Sequence, residues 1–176
     1  MNALPDRLLV VSDRHQAVRP LPEQMALALA GGARWIWLRD RDLAAPERRA
    51  LAERLRAGTA RHGASLTIGG DVALAAAVGA DGVHLRAAAE VTQARAGLGA
   101  AALIGISCHG LADVSAAAAA GADYVTLSPV FASASKPGYG PALGTALLRE
   151  AGRCGPAIVA LGGVTTETAP DFFAAG

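Results

Sequence analysis

The chain has 176 residues, enough for one domain with a buried core, and a formal charge of +1 with no run of five Lys or Arg, which leaves nucleic-acid binding without support. Just over half the residues are apolar, aromatics are scarce and Ala and Gly dominate, a composition suited to helices packed on a small-residue sheet. The opening MNALPDRLLVVSDR lacks the pattern of a signal peptide, and no apolar stretch runs uninterrupted far enough to span a bilayer, so a cytoplasmic protein without membrane contact is expected.

In chain order, short apolar or β-branched runs alternate with longer Ala/Leu/Arg/Glu segments, which predicts repeated βα units and a parallel sheet. Seven strands are expected, at residues 7–13, 35–40, 65–70, 82–86, 103–109, 124–130 and 157–163, each apolar enough to be buried on both faces. The clearest helix runs from Pro46 to about Arg61, with Leu51 and Leu55 on its apolar side and Gly63 past its end. On it Arg48, Arg49, Arg54, Arg56 and Arg61, interleaved with Glu47 and Glu53, read as a solvated face. Three fragments, 30–35, 78–83 and 120–125, repeat a helix-closing Gly followed at once by a strand, and Asp81 in the second braces that turn. Such regularity favours a single-domain (β/α)8 TIM barrel over residues 1–176 rather than a doubly wound sheet. A last helix is expected from Thr165, after which the eighth βα unit is missing; the first and seventh strands would then show edges that a partner chain or swapped segment covers, as in a homo-oligomer.

In such a barrel, chemistry sits where strands end, and there the polar residues are mainly cations and hydroxyls. Asp13-Arg14-His15, Arg39-Asp40-Arg41, Gly69-Gly70-Asp71, His84 with Arg86, Ser107-Cys108-His109, residues 128–138 and Gly162-Gly163 follow the seven runs in turn. Ser133, Ser135 and Lys136 lie on a Gly/Pro-rich stretch that could surround a phosphate or diphosphate, or simply be solvated. Gly162 to Thr166 places a Gly-rich turn before a helix N-terminus, a second anion site. His84 and His109 could shuttle protons or be satisfied by backbone carbonyls. Cys108 and Cys154 show neither zinc-site nor disulfide spacing and read as reduced.

The ordered fragments LLVVSDR, WLRDR, GADGVHL, GISCH, GADYVTLSPVFASASKPG and IVALGGV resemble the thiamine phosphate synthase and thiazole tautomerase superfamily across essentially the whole chain. The resemblance implies a transferase that joins a hydroxymethylpyrimidine diphosphate to a thiazole phosphate, releasing diphosphate through a carbocation-like step helped by magnesium. It implies diphosphate contacts from Arg39 and Arg41, with Trp37 standing where the family has Gln, so that one polar contact is lost while the charge survives. Ser107 and Lys136 join them as catalytic residues; Ser133, Ser135, His84 and His109 contact substrate, and Gly162-Gly163 receive the thiazole phosphate. The family's metal carboxylates fall at Gly69-Gly70 and at Ala89, so Asp71 is the carboxylate left for magnesium. Two alternatives remain open on these residues. One is a metal-independent tautomerase using His84, His109 or Cys108, although Pro129 stands where that branch has His. The other is a non-catalytic sensor that retains the phosphate pocket.

Overall fold

The computed structural model describes residues 2–132 and 140–175. Among the described residues seven strands alternate with seven α-helices: β1 (Val10–Val11), α1 (Leu21–Ala30), β2 (Trp35–Leu38), α2 (Ala45–Arg61), β3 (Ser65–Gly69), α3 (Val72–Val78), β4 (Gly82–Leu85), α4 (Val91–Leu98), β5 (Leu103–Cys108), α5 (Leu111–Ala120), β6 (Tyr124–Leu127), α6 (Gly144–Ala151), β7 (Ala157–Ala160) and α7 (Ala169–Ala175). The eighth βα unit of a closed barrel is not among the described residues. The chain divides into two compact units, residues 2–85 with 93–104, and residues 86–92 with 105–175.

In the unit holding β1 to β4, neighbouring strands pair in parallel, with Trp37 opposite Thr67 and Gly69 opposite His84. Alternation along each strand separates two faces. Ile36, Leu38, Leu66 and Ile68 join Leu21, Met25 and Leu29 of α1 and Ala52 and Leu55 of α2 in one apolar core. The opposite face carries Trp35, Trp37, Thr67, Gly69 and His84, where Trp35 Nε1 donates to Thr67 Oγ1 at 2.8 Å. At the amino ends of the strands Asp81 braces its turn as expected: its carboxylate accepts from Leu66 N at 2.8 Å and pairs with Arg56 at 3.6 Å.

In the other unit β5, β6 and β7 are also parallel neighbours. Gly105 lies opposite Tyr124, whose ring fills the space a side chain at 105 would need: a Cβ there would stand 2.0 Å from Tyr124 Cζ. Bonds from Val130 N to Leu161 O and Phe131 N to Gly162 O carry the β6–β7 pairing past the strand ends.

Three sequence expectations change. β1 is much shorter than residues 7–13; only Val10–Val11 pair, with Ser12 N donating to Trp37 O just beyond. Burial on both faces holds for β2 to β6, but β1 and β7, each paired on one side among the described residues, are half-buried. The last helix starts at Ala169 rather than Thr165, because Thr165 and Thr168 exchange backbone-to-hydroxyl bonds of 2.8 and 3.2 Å and close a turn of their own.

Candidate functional site

The carboxyl ends of β2 and β3 are tied together by Arg48, which corrects its reading as part of a solvated helix face. It sits in the first turn of α2, 7% exposed, and its planar guanidinium serves three partners. Nε donates to Asp40 O at 3.1 Å, Nη2 to Gly69 O at 2.6 Å and Nη1 to Asp71 Oδ2 at 3.1 Å. Asp40, also buried, accepts from Arg14 N at 2.8 Å and from the Ser12 hydroxyl, whose oxygen in turn accepts from Arg39 N at 2.9 Å. Backbone geometry around Arg39 and Arg41 is therefore set by buried polar contacts. Sequence reasoning passed over Ser12, named Asp40 only as one of the polar residues at the second strand's end and read Arg48 as solvated; the signal was a Ser and an Asp at the ends of successive strand runs.

Arg39 reaches across to Asp13 at 3.6 Å and stays partly exposed. Partial burial works to raise the Asp13 carboxyl, but bonds from the Gln16 amide and His15 N, with the Arg39 guanidinium, hold it below the ordinary carboxylate value. Arg41 lies over Gly69 and Gly70: a Cβ on Gly70 would meet its Cζ at 3.0 Å, and Nη2 donates to His84 O at 3.4 Å. Beneath them the rings of Trp37 and His84 are 4.0 Å apart. The structure places His84 in the core rather than at an open strand end. Burial, with Arg41 nearby, pushes its imidazole down to about 3.

A group neutral in the fold but free to charge when unfolded makes the unfolded state bind more protons below its ordinary value near 6.5, so stability falls as pH drops from about 6.5 toward 3. The ceiling is about 1.4 kcal/mol per pH unit. Urea unfolding at pH 7.5 and pH 5 should show a loss of about 1 to 2 kcal/mol that is absent in His84→Gln.

Magnesium requires several hard oxygen donors. Gly69, Gly70 and Ala89 offer no side-chain oxygen, and Asp71 is committed: it is the N-cap of α3, accepting from Leu74 N at 2.8 Å, and it pairs with Arg48. Among the described residues no group of three or more His, Cys, Asp or Glu could hold a metal ion. The residues described do not fit the ion, and Asp71 acts instead as cap and counter-ion.

In the other unit Ser107 and Cys108 close β5. Burial, with Asp113 close by, pushes the Cys108 thiol up to about 12, so it stays protonated at neutral pH. His109 is exposed; its Nδ1 lies 2.8 Å from Ser128 O, so Nδ1 carries the proton and donates. Gly162 and Gly163 have φ of +95° and +68°, and a Cβ on Gly163 would stand 2.6 Å from Phe131 Cβ, so the pair is needed for the β6 and β7 loops to meet. The expected anion site at the following helix N-terminus is altered, since Thr165 N and Thr168 N already have hydroxyl partners. Ser133, Ser135 and Lys136 lie outside the described residues.

A family profile described as thiamine monophosphate synthase matches residues 8–176. The chain belongs to the thiamine monophosphate synthase family. This membership places it in thiamine biosynthesis. The chain is 43% identical to a thiamine-phosphate synthase of Nitrosococcus oceani, over 96% of its own length and 79% of the relative's. It is 42% identical to one of Methanoculleus marisnigri, over 85% and 72%. Among solved structures, a thiamine phosphate pyrophosphorylase of Pyrococcus furiosus superposes with a TM-score of 0.82 at 28% identity, covering 96% of this chain and 80% of that one. The superposition supports a parallel, TIM-barrel-like fold.

Proposed function

We propose that the chain is a thiamine phosphate synthase, joining a hydroxymethylpyrimidine diphosphate to a thiazole phosphate. The bond between the pyrimidine methylene carbon and the diphosphate oxygen breaks, its electron pair leaving with diphosphate. The thiazole ring nitrogen then supplies the pair for the new C–N bond. The observation that carries this reading is the pair of arginines at the end of β2, Arg39 with its backbone N on the Ser12 hydroxyl and its guanidinium beside Asp13, and Arg41 with Nη2 on His84 O, in a chain matched by the family over residues 8–176. Fixed cations aimed at a leaving group that gains charge favour its departure. The family resemblance assigns diphosphate donors to Ser133, Ser135 and Lys136, polar substrate contacts to Ser107 and His109, and the thiazole phosphate to Gly162-Gly163. No step is assigned to magnesium.

A proton-transfer reading finds no favouring observation among the described residues, since His84 is buried and neutral, Cys108 is a protonated thiol and His109 Nδ1 is engaged by Ser128 O. The proposed partners are small phosphorylated molecules in the cytoplasm; no helix among the described residues is long and apolar enough to cross a membrane. Purified protein given both substrates should form thiamine phosphate, and Arg39→Met should lower kcat by about a hundredfold. No product under any metal condition, with thiazole phosphate still bound, would overturn the transferase reading.

A further inference from the structure

Asp40 stands in the chain between the two arginines that the proposed reaction turns toward an anion, and it is buried. A negative charge at that place opposes the approach of diphosphate, so attraction for the anion alone would favour a neutral residue. The hydrogen bonds of its carboxylate show what the charge is there to do. Oδ2 accepts from the Ser12 hydroxyl, and Ser12 Oγ accepts from Arg39 N at 2.9 Å. Oδ1 accepts from Arg14 N at 2.8 Å. Arg14 follows Asp13, whose Oδ2 lies 3.6 Å from Arg39 Nη1 and accepts from the Gln16 amide at 2.7 Å. Arg39 is thus tied to one carboxylate from both its ends, its main chain through Ser12 and its guanidinium through Asp13 and Arg14. Ser12 is 1% exposed, so water does not compete for these bonds. A carboxylate accepts on both oxygens; an amide at 40 could still accept from Arg14 N, but its N–H would face Ser12 and leave the hydroxyl proton without its acceptor.

We infer that Ser12 and Asp40 are positioning residues of the transfer step, fixing the Arg39 guanidinium where the leaving diphosphate gains charge. Neither side chain meets the substrate; both act through Arg39. The carboxylate weakens attraction for the anion in the ground state and supplies a fixed cation in the transition state, where a small misplacement lowers the rate steeply. Binding and rate therefore respond in opposite directions when the acid is neutralised, a signature that general loosening of the site does not give. The inference rests on the transferase reading for the reaction itself.

The test compares the full chain with Asp40→Asn, Ser12→Ala and Ser12→Thr, after melting curves establish which variants fold. Two quantities are read on each: the single-turnover rate of thiamine phosphate formation, with protein in excess so that product release does not enter, and the Kd of inorganic diphosphate by calorimetry. Asp40→Asn should slow the single turnover about tenfold or more while binding diphosphate at least as tightly as the parent chain. Ser12→Ala should slow it by a similar factor, and Ser12→Thr, which keeps the hydroxyl, should stay within about threefold of the parent. Rates within threefold of the parent in both Asp40→Asn and Ser12→Ala overturn the inference, as does a parallel loss of rate and of diphosphate binding in Asp40→Asn. Should Asp40→Asn fail to fold, the contrast between alanine and threonine at 12 decides, and equal rates in those two variants overturn it. A parent chain that forms no product defeats the transferase reading and this inference with it, whereas an active parent with unaffected variants defeats the inference alone.

Discussion

Replacing Arg48 by methionine is expected to lower the free energy of unfolding by about 3 kcal/mol or more, read from urea denaturation. The methionine keeps the apolar stem but strips donors from Gly69 O and Asp40 O and leaves Asp71 without its cation. Lysine should recover less than half the loss, because a single ammonium cannot serve three acceptors with the geometry of a planar fork. Arg49, one residue on, is the control: it is more than half exposed and pairs with Glu53 at 2.9 Å within the helix, so Arg49→Met should change stability by only ~0.5 kcal/mol. Equal effects at 48 and 49 would mean that the buried contacts contribute nothing beyond those of an ordinary surface pair.

Gly105→Ala should be comparably damaging, by about 3 kcal/mol or more, and should show first as loss of soluble protein. The added methyl would enter the ring of Tyr124, 2.0 to 2.5 Å from three of its carbons, and that side chain is fully buried. Shortening the opposing residue makes room, so the double variant with Tyr124→Leu should be more stable than the sum of the two single effects predicts, by at least ~1 kcal/mol. Strict additivity in this cycle would show that the ring and the glycine do not share the same space.

Much of this architecture can be read from the chain because its signals are local. The run Trp35–Leu38 is apolar without a break and buried throughout, and α2 starts within one residue of the expected Pro46 because proline suits a first turn. Asp81 was legible for the same reason, sitting in a repeated turn. Arg48 was not: helical spacing shows which residues share a face, but not that Gly69 O, twenty-one residues away, needs a donor there. The start of α7 was misplaced because Thr165 reads as a helix opener, whereas its bonds to Thr168 form a separate turn. At the site, Arg39 and Arg41 stood out as charges after an apolar run. Trp37 stood out only as a replacement for the family's Gln; that its indole N–H is buried without a hydrogen-bond partner among the described residues needed the structure.

Helix α2 meets the sheet at both ends, Arg56 on Asp81 at the amino side and Arg48 on Asp71, Gly69 and Asp40 at the carboxyl side. The two arginines are eight residues apart, about 12 Å along the axis. The segment bearing Arg41 therefore cannot fray as an independent loop; exposing its amides to solvent means lifting the helix from both ends at once. Hydrogen exchange there should follow the opening of α2, β2 and β3 as one cooperative block, which keeps the cations in place.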